Sequence, residues 1–166
     1  TSQLFPISMI FKKEFKMKKI LYIFVIFSLF SIVEGENSIE KETRKAGDRI
    51  RKNFYHAWET GNWTPFLNDI DPKNFVFQFP VGQFGGTYKG KEAVQKMKNF
   101  AKANIAYKNR VTSYKINFII VEKDRYTFTD KFKGVIGGHK IEGGNSFYFR
   151  IKNGKLIEFR EFIGYY

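Results

Sequence analysis

The stretch that decides the fold is "NSFYFRIKNGKLIEFREF", Asn145 to Phe162. Its apolar residues alternate with polar ones, which is the period-two pattern of a half-buried β-strand. Asn153-Gly154 interrupts the alternation near the centre, and this dipeptide is typical of a two-residue hairpin turn because both positions tolerate a positive φ. The stretch therefore predicts two antiparallel strands joined by a tight turn.

The same alternation extends upstream to Asn109, and turn signals divide residues 109–166 into four strands. Before them, residues 39–60 carry an apolar stripe at helical spacing, and "GKEAVQKMKNFAKAN" (Gly90–Asn104) carries another. A short helical turn that begins at Pro65 and two short strands lie between these helices. Helices followed by an antiparallel meander predict an α+β fold, with N-terminal helices packed on one face of a curved sheet.

The N-terminal part of the sequence has the pattern of an export signal. Met17-Lys18-Lys19 is a basic start, 14 apolar residues follow from Ile20 to Val33, and Gly35 marks a cleavage site. The apolar run is shorter than the roughly 20 residues that span a bilayer. We therefore predict a signal peptide over residues 17–35 after an uninterpreted extension, 1–16. A secreted or periplasmic domain, 36–166, would have no permanent membrane span after cleavage.

Composition excludes several classes of site. The sequence has no cysteine, so disulfides, Cys-based metal sites and thiol nucleophiles are absent, and its two histidines do not suggest a His-rich metal site. We expect no metal and no cofactor. The formal charge is +13, but the lysines are scattered and no aromatic nucleic-acid-binding motif accompanies them. We expect no specific nucleic-acid partner.

Three segments together resemble a known family. They are "YHAWETGNWTPFLNDIDPKNFVFQFP" (55–80), "YKGKEAVQKM" (88–97) and "GGHKIEGGNSFYFRIKNGKLIEFREF" (137–162). Their order is similar to the SnoaL-like branch of the nuclear transport factor 2-like (NTF2-like) superfamily, over about residues 39–163. The resemblance implies an α+β cone, in which a curved antiparallel sheet wraps around a pocket open at one end.

The resemblance leaves the function open. Members of this superfamily include polyketide cyclases, ketosteroid isomerases, dehydratases and binding modules without catalysis, so the fold alone does not decide between them. Cyclase-like members often carry an acid just after the last strand, where this chain has Gly164. Many relatives are dimers, and both faces of the predicted sheet are partly apolar. A homodimer through the outer sheet face is therefore expected.

Strand register predicts which polar side chains face the pocket. A two-residue turn at Asn153-Gly154 places Phe149 opposite Glu158 and Phe147 opposite Arg160. Glu158 and Arg160 would then lie on the more apolar face, together with Phe162, and Glu161 would point away from it. The alternative is that the charges on this last strand are simply solvated.

A second register argument concerns Asp130. The aromatic faces of its strand and of the preceding strand meet only if the connecting loop has an odd number of residues, which places Phe118 opposite Asp130. Asp130 would lie between Phe128 and Phe132, where burial raises a carboxyl pKa towards that of a general acid or base. Arg160 could be its counter-ion. The alternative is a purely structural ion pair.

These arguments lead to one preferred function and two alternatives. We expect a small, largely apolar ligand in an aromatic-lined pocket. A cofactor-independent isomerase, cyclase or dehydratase is the first alternative, with Asp130 as acid or base and Arg160 stabilising an oxyanion. A dimeric protein-interaction module is the second. The predicted ligand-binding residues are Trp58, Tyr114, Phe118, Phe128, Phe147, Phe149, Glu158 and Phe162, although core packing is the competing role for the aromatic residues.

Overall fold

The computed structural model describes residues 38–80 and 82–164, and every structural statement below refers to them. The fold described here is that of the compact unit Ile39–Tyr166. The predicted extension, 1–16, and signal peptide, 17–35, lie outside the described residues and stay predictions. Within the described ranges, no helix is both long enough and apolar enough to cross a membrane.

Helices occupy most of the first half of the described chain. The first helix, α1, covers residues 38–60 and stops where Gly61 takes a left-handed conformation, with φ +79°. α2 (Thr64–Asn68) has Pro65 in its first turn, where a backbone N–H has no helical partner to lose. α3 covers Gly90–Ala106, and a single 3₁₀ turn covers Gly82–Phe84.

Six strands form one open, curved sheet. Their spatial order is β2-β1-β6-β5-β4-β3, and all neighbouring strands are antiparallel except the parallel pair β1 and β6. The predicted α+β fold and its C-terminal meander are therefore confirmed. The strands are β1 (Val76–Phe79), β2 (Gly86–Lys89), β3 (Arg110–Glu122), β4 (Arg125–Ile136), β5 (His139–Lys152) and β6 (Lys155–Gly164).

The core lies between the helices and one face of the sheet. The apolar stripes predicted on α1 and α3 are buried there, because residues spaced by three or four share one side of a helix. The buried stripe residues are Ala46, Ile50, Phe54 and Ala57 on α1, and Ala93, Met97, Phe100 and Ala101 on α3. The sheet contributes Phe77, Phe128, Phe149 and Phe159, which are also fully buried.

The hairpin of β5 and β6 begins as predicted. Asn153 and Gly154 form the turn with φ values of 51° and 69°, and Lys152 pairs with Lys155. The pairing then shifts by one residue, because Ile157 is an extra residue in β6 and makes a β-bulge. All predicted pairings beyond that point are therefore wrong.

The bulge reverses the faces of β6. Phe149 pairs with Phe159 rather than Glu158, and Phe147 pairs with Glu161 rather than Arg160. Glu161 consequently lies on the inner face of the sheet, and its neighbours in sequence point outwards. Glu158 and Arg160 form an ion pair on the outer face, where Arg150 contacts the other oxygen of Glu158 at 3.5 Å.

A bulge in β3 corrects the second register prediction. The loop between β3 and β4 has two residues rather than an odd number, and Asn117 is an extra residue that shifts the pairing. Asp130 therefore pairs with Ile116, whereas Phe118 pairs with Thr129 and points outwards. Phe118 is 49% exposed, so its predicted place on the inner face is wrong.

Candidate functional site

A cavity of about 610 Å³ opens between α1, the inner face of the sheet and the distal part of the β4–β5 hairpin. This volume falls within the range of small-molecule sites. Its wall is mainly apolar, because the inner-face residues of a half-buried sheet alternate with polar outer-face residues. The aromatic lining is Phe54, Tyr55, Trp58, Phe79, Phe132 and Phe147, and the aliphatic lining is Val111, Ile136, Ile141 and Ile163.

Tyr55 connects α1 to the sheet. It follows Phe54 on the buried side of the helix, and its hydroxyl donates a hydrogen bond to the Asp130 carboxylate. The ring of Tyr114 stacks on the Tyr55 ring with 3.7 Å between centroids, which fixes the orientation of the phenol. Burial and the nearby charge of Asp130 raise the pKa of Tyr55 far above its ordinary value, so the phenol stays a neutral donor.

Asp130 lies where the β4–β5 ladder is interrupted. Regular pairing stops after Thr129 and resumes at Phe132, and in the gap the backbone N–H of Asn145 donates to Oδ1 of Asp130 at 2.8 Å. Burial raises the pKa of Asp130, whereas the hydrogen bonds from Tyr55 and Asn145 lower it. Asp130 as a whole is only 3% exposed, yet it belongs to the lining of the cavity.

Glu161 is the second acid of the cavity. It is 7% exposed, and it forms no hydrogen bond or ion pair with any residue that the structure describes. Burial, with a further contribution from the charge of Asp130, raises the pKa of Glu161 to about 8. At neutral pH this carboxyl is therefore protonated and can donate a hydrogen bond into an apolar cavity.

Among the described residues, no lysine or arginine lines the cavity. The other ionisable lining residues are His139 and Glu142, which are exposed at the rim, and Glu142 pairs with Lys133 at 3.1 Å. Within 38–80 and 82–164, no group of three or more His, Asp or Glu side chains is arranged to hold a metal ion. The cavity can therefore hold a largely apolar molecule whose polar group meets two carboxyls.

The structure brings three of the predicted site residues to this cavity, namely Trp58, Asp130 and Phe147. Tyr114 lies behind Tyr55 and does not line the wall, and Phe128 and Phe149 are buried in the core with 0% exposure. The remaining predicted residues are on the outer face of the sheet, where Phe118 and Phe162 are exposed and Glu158 is buried against Arg150 and Arg160.

The predicted partnership of Asp130 and Arg160 is wrong. Arg160 binds Glu158 on the outer face and does not reach the cavity, so it cannot stabilise an oxyanion beside Asp130. The sequence prediction also missed Glu161, because an unbulged β6 would turn it away from the pocket. Its only sequence signal is its position as a second acid in the last strand, near Phe159 and Ile163.

Comparisons with known proteins support the fold. No protein-family model and no curated protein matches this sequence. An NTF2-like protein from Anabaena variabilis superimposes with a TM-score of 0.64 and 22% identity, over 74% of this chain and 90% of that one. A candidate isomerase from Rhodopseudomonas palustris superimposes with a TM-score of 0.57 and 18% identity, over 72% and 90%.

A candidate polyketide cyclase from Sinorhizobium meliloti matches with a TM-score of 0.50 and 16% identity, over 68% of this chain and 93% of that one. Identities this low show the fold and leave the activity open. The element order, the sheet and these superpositions together bear out the resemblance found in the sequence. Residues 39–164 form a domain with the NTF2-like fold.

Proposed function

We propose that this protein binds a small, largely apolar molecule in the cavity between α1 and the inner face of the sheet. The observation that carries this proposal is Glu161, a buried carboxyl that faces an aromatic cavity and has no partner among the described residues. An apolar molecule that filled the cavity would leave this carboxyl without water or a partner, at a cost of about 1–3 kcal/mol. A bound molecule with one polar group would remove that cost, and its apolar part would cover the aromatic wall.

Nile red, a neutral apolar dye whose fluorescence rises in apolar surroundings, tests this proposal. We expect saturable binding with one site per chain. Ile163→Trp should weaken binding because the larger side chain occupies part of the cavity, whereas Ile120→Trp, on the exposed outer face, should not. Equal binding by the two tryptophan variants, or no saturable binding by the unaltered protein, would contradict the proposal.

General acid–base catalysis on the bound molecule is a second candidate function, favoured by the presence of two carboxyls that differ in their partners. Asp130 accepts two hydrogen bonds that stabilise its ionised form, and Glu161 is held protonated. Asp130 could take a proton from carbon next to a carbonyl group while Glu161 donates to the carbonyl oxygen. Return of the proton from Asp130 to the γ-carbon, with the enol proton going back to Glu161 as the carbonyl re-forms, would complete an isomerisation, the activity suggested for the R. palustris protein.

A β,γ-unsaturated ketosteroid tests this second candidate, because its conjugated isomer absorbs in the near ultraviolet. We expect Asp130→Asn and Glu161→Gln each to lower kcat by on the order of 10²–10⁴. His56→Gln is the control, because His56 is exposed on the opposite side of α1. A rate no faster than buffer, or an unchanged rate in Glu161→Gln, would rule this candidate out.

We also propose that a second copy covers the outer face of the sheet. Cross-strand pairs place Phe118, Thr129, Ser146 and Phe162 in one row, so two exposed phenylalanines flank two small hydroxyl residues. A two-fold axis that crosses the middle of this row would set Phe118 of one copy over Phe162 of the other, with the small hydroxyl residues facing each other between them. Native mass spectra should show two chains, and Phe162→Ser should give one chain, unlike Tyr107→Ser at the end of α3. A single chain in the unaltered protein would contradict this arrangement.

A further inference from the structure

We infer that the cavity selects cationic ligands, namely amines with apolar substituents whose positive charge lies beside Asp130 and Glu161. This inference rests on the proposed binding function and specifies its ligand class. The ammonium group would supply the counter-charge that the protein itself does not place in the cavity.

The other buried acids of the described chain show what is missing. Asp69 pairs with Arg49 at 3.0 Å, and Glu158 is held between Arg150 and Arg160. Burying a carboxylate without such a cation is strongly unfavourable, which is why buried acids are normally paired. The two remaining buried acids, Asp130 and Glu161, face the cavity. The chain has 29 lysines and arginines, yet none of those that the structure describes lines this cavity.

The wall around these acids also suits a cation with apolar substituents. Phe54, Trp58, Phe132 and Phe147 line the cavity and offer neutral π-systems, which attract an ammonium group without forming a fixed ion pair. The Tyr55 hydroxyl already donates its hydrogen bond to Asp130, so its O–H is not available to a ligand. The protein therefore supplies the cavity with two acids and several aromatic rings.

In the free protein, a proton on Glu161 takes the place of the absent cation. Binding of a permanent cation would release this proton, so that the carboxylic acid and the ammonium ion become a carboxylate–ammonium pair and one free proton. The ionisable groups around Glu161 are Asp130 on β4, Tyr55 on α1, and His139 and Glu142 at the rim on β5. Affinity for a permanent cation should therefore rise with pH, because the competing proton is lost.

A neutral ligand that accepts a hydrogen bond should show the opposite pH dependence. Such a ligand requires the protonated form of Glu161, which disappears as the pH rises towards and beyond 8. The direction of the pH dependence thus separates a cationic ligand class from a neutral one, while both occupy the same cavity.

Benzyltrimethylammonium and neopentylbenzene test the inference, because they have the same shape and differ by one positive charge. Each would be used to displace Nile red at pH 6 and pH 9. We expect the cation to bind about tenfold more tightly than its isostere at pH 9, and its affinity to rise about tenfold or more from pH 6 to pH 9. Glu161→Gln should abolish the rise, whereas Glu142→Gln at the rim should preserve it.

The outcomes separate this inference from the proposed function. If neopentylbenzene binds as tightly as the cation at both pH values, the inference is wrong and the binding function stands. Loss of the pH dependence in Glu142→Gln, or its persistence in Glu161→Gln, would also overturn the inference, because the responsible charge would lie elsewhere. If the protein binds neither Nile red nor the two probes, the proposed function itself fails.

Discussion

Replacing Phe54 by alanine should lower the free energy of unfolding by about 3–5 kcal/mol, the cost of removing a large ring from a packed core. Phe54 is 2% exposed and lies on α1 between the cavity and the sheet. Its ring centroid is 5.3 Å from those of Phe66 and Phe147 and 5.5 Å from that of Phe159. Alanine would therefore remove the contact that joins α1, α2 and the two central strands.

Urea unfolding followed by circular dichroism measures this change. Tyr107→Ala is the control, because Tyr107 is 64% exposed at the end of α3, and its replacement should change the free energy of unfolding by less than about 0.5 kcal/mol. A loss below about 1 kcal/mol in Phe54→Ala would mean that the rings around it can collapse into the vacated space, and that the core is less closely packed than the structure shows.

The elements of this fold are predictable because their signals are local. The α1 stripe that contains Ile50 and Phe54 depends only on a spacing of three and four residues. Asn153-Gly154 defines its turn because both residues accept a left-handed conformation. These patterns require no knowledge of what each segment packs against, so the helices, the hairpin and the fold class follow from the sequence.

Register is not local, and the errors in the predicted site come from two bulges. Ile157 and Asn117 each add one residue to one strand, which reverses the faces of every residue beyond them. Neither is a glycine, and the irregular alternation around each one does not show which strand carries the extra residue or where. The predicted positions of Arg160 and Phe118 are wrong for this reason, and Glu161 was missed.

Asp130 lies on the inner face, as the sequence predicts, although its predicted partner is wrong. The odd-residue loop required by the prediction is in fact a two-residue loop plus the extra residue Asn117. In both arrangements, the residues of β4 that pair with β3 on the N-terminal side of Asn117 keep the same inward or outward direction, so Asp130 points inwards in each. Trp58 and Phe147 line the cavity, because each lies on an apolar face that neither bulge reverses, and their role in ligand binding stays a prediction.

Replacing Glu161 by glutamine should remove a pH dependence from the stability of the protein. The ordinary pKa of a glutamate is 4.5, and burial raises that of Glu161 to about 8. Between these values the folded protein holds a proton that the unfolded chain releases. The free energy of unfolding should therefore fall as pH rises through this window, by at most about 1.4 kcal/mol per pH unit, and should level off above it.

Glutamine is neutral at every pH and has nearly the same shape, so Glu161→Gln should match the unaltered protein near pH 5 and exceed its stability at pH 9. A pKa shift from 4.5 to about 8 sets an upper scale of about 5 kcal/mol for that difference. Asp130 also has a raised pKa and contributes with the same sign in both proteins, so the comparison reports Glu161 together with its coupling to Asp130. Urea unfolding of both proteins at several pH values measures the difference, with Glu142→Gln as the exposed control. A stability difference that does not change with pH would show that Glu161 ionises in the folded protein as it does in the unfolded chain, and the unpartnered acid that carries the binding proposal would then be a solvated one.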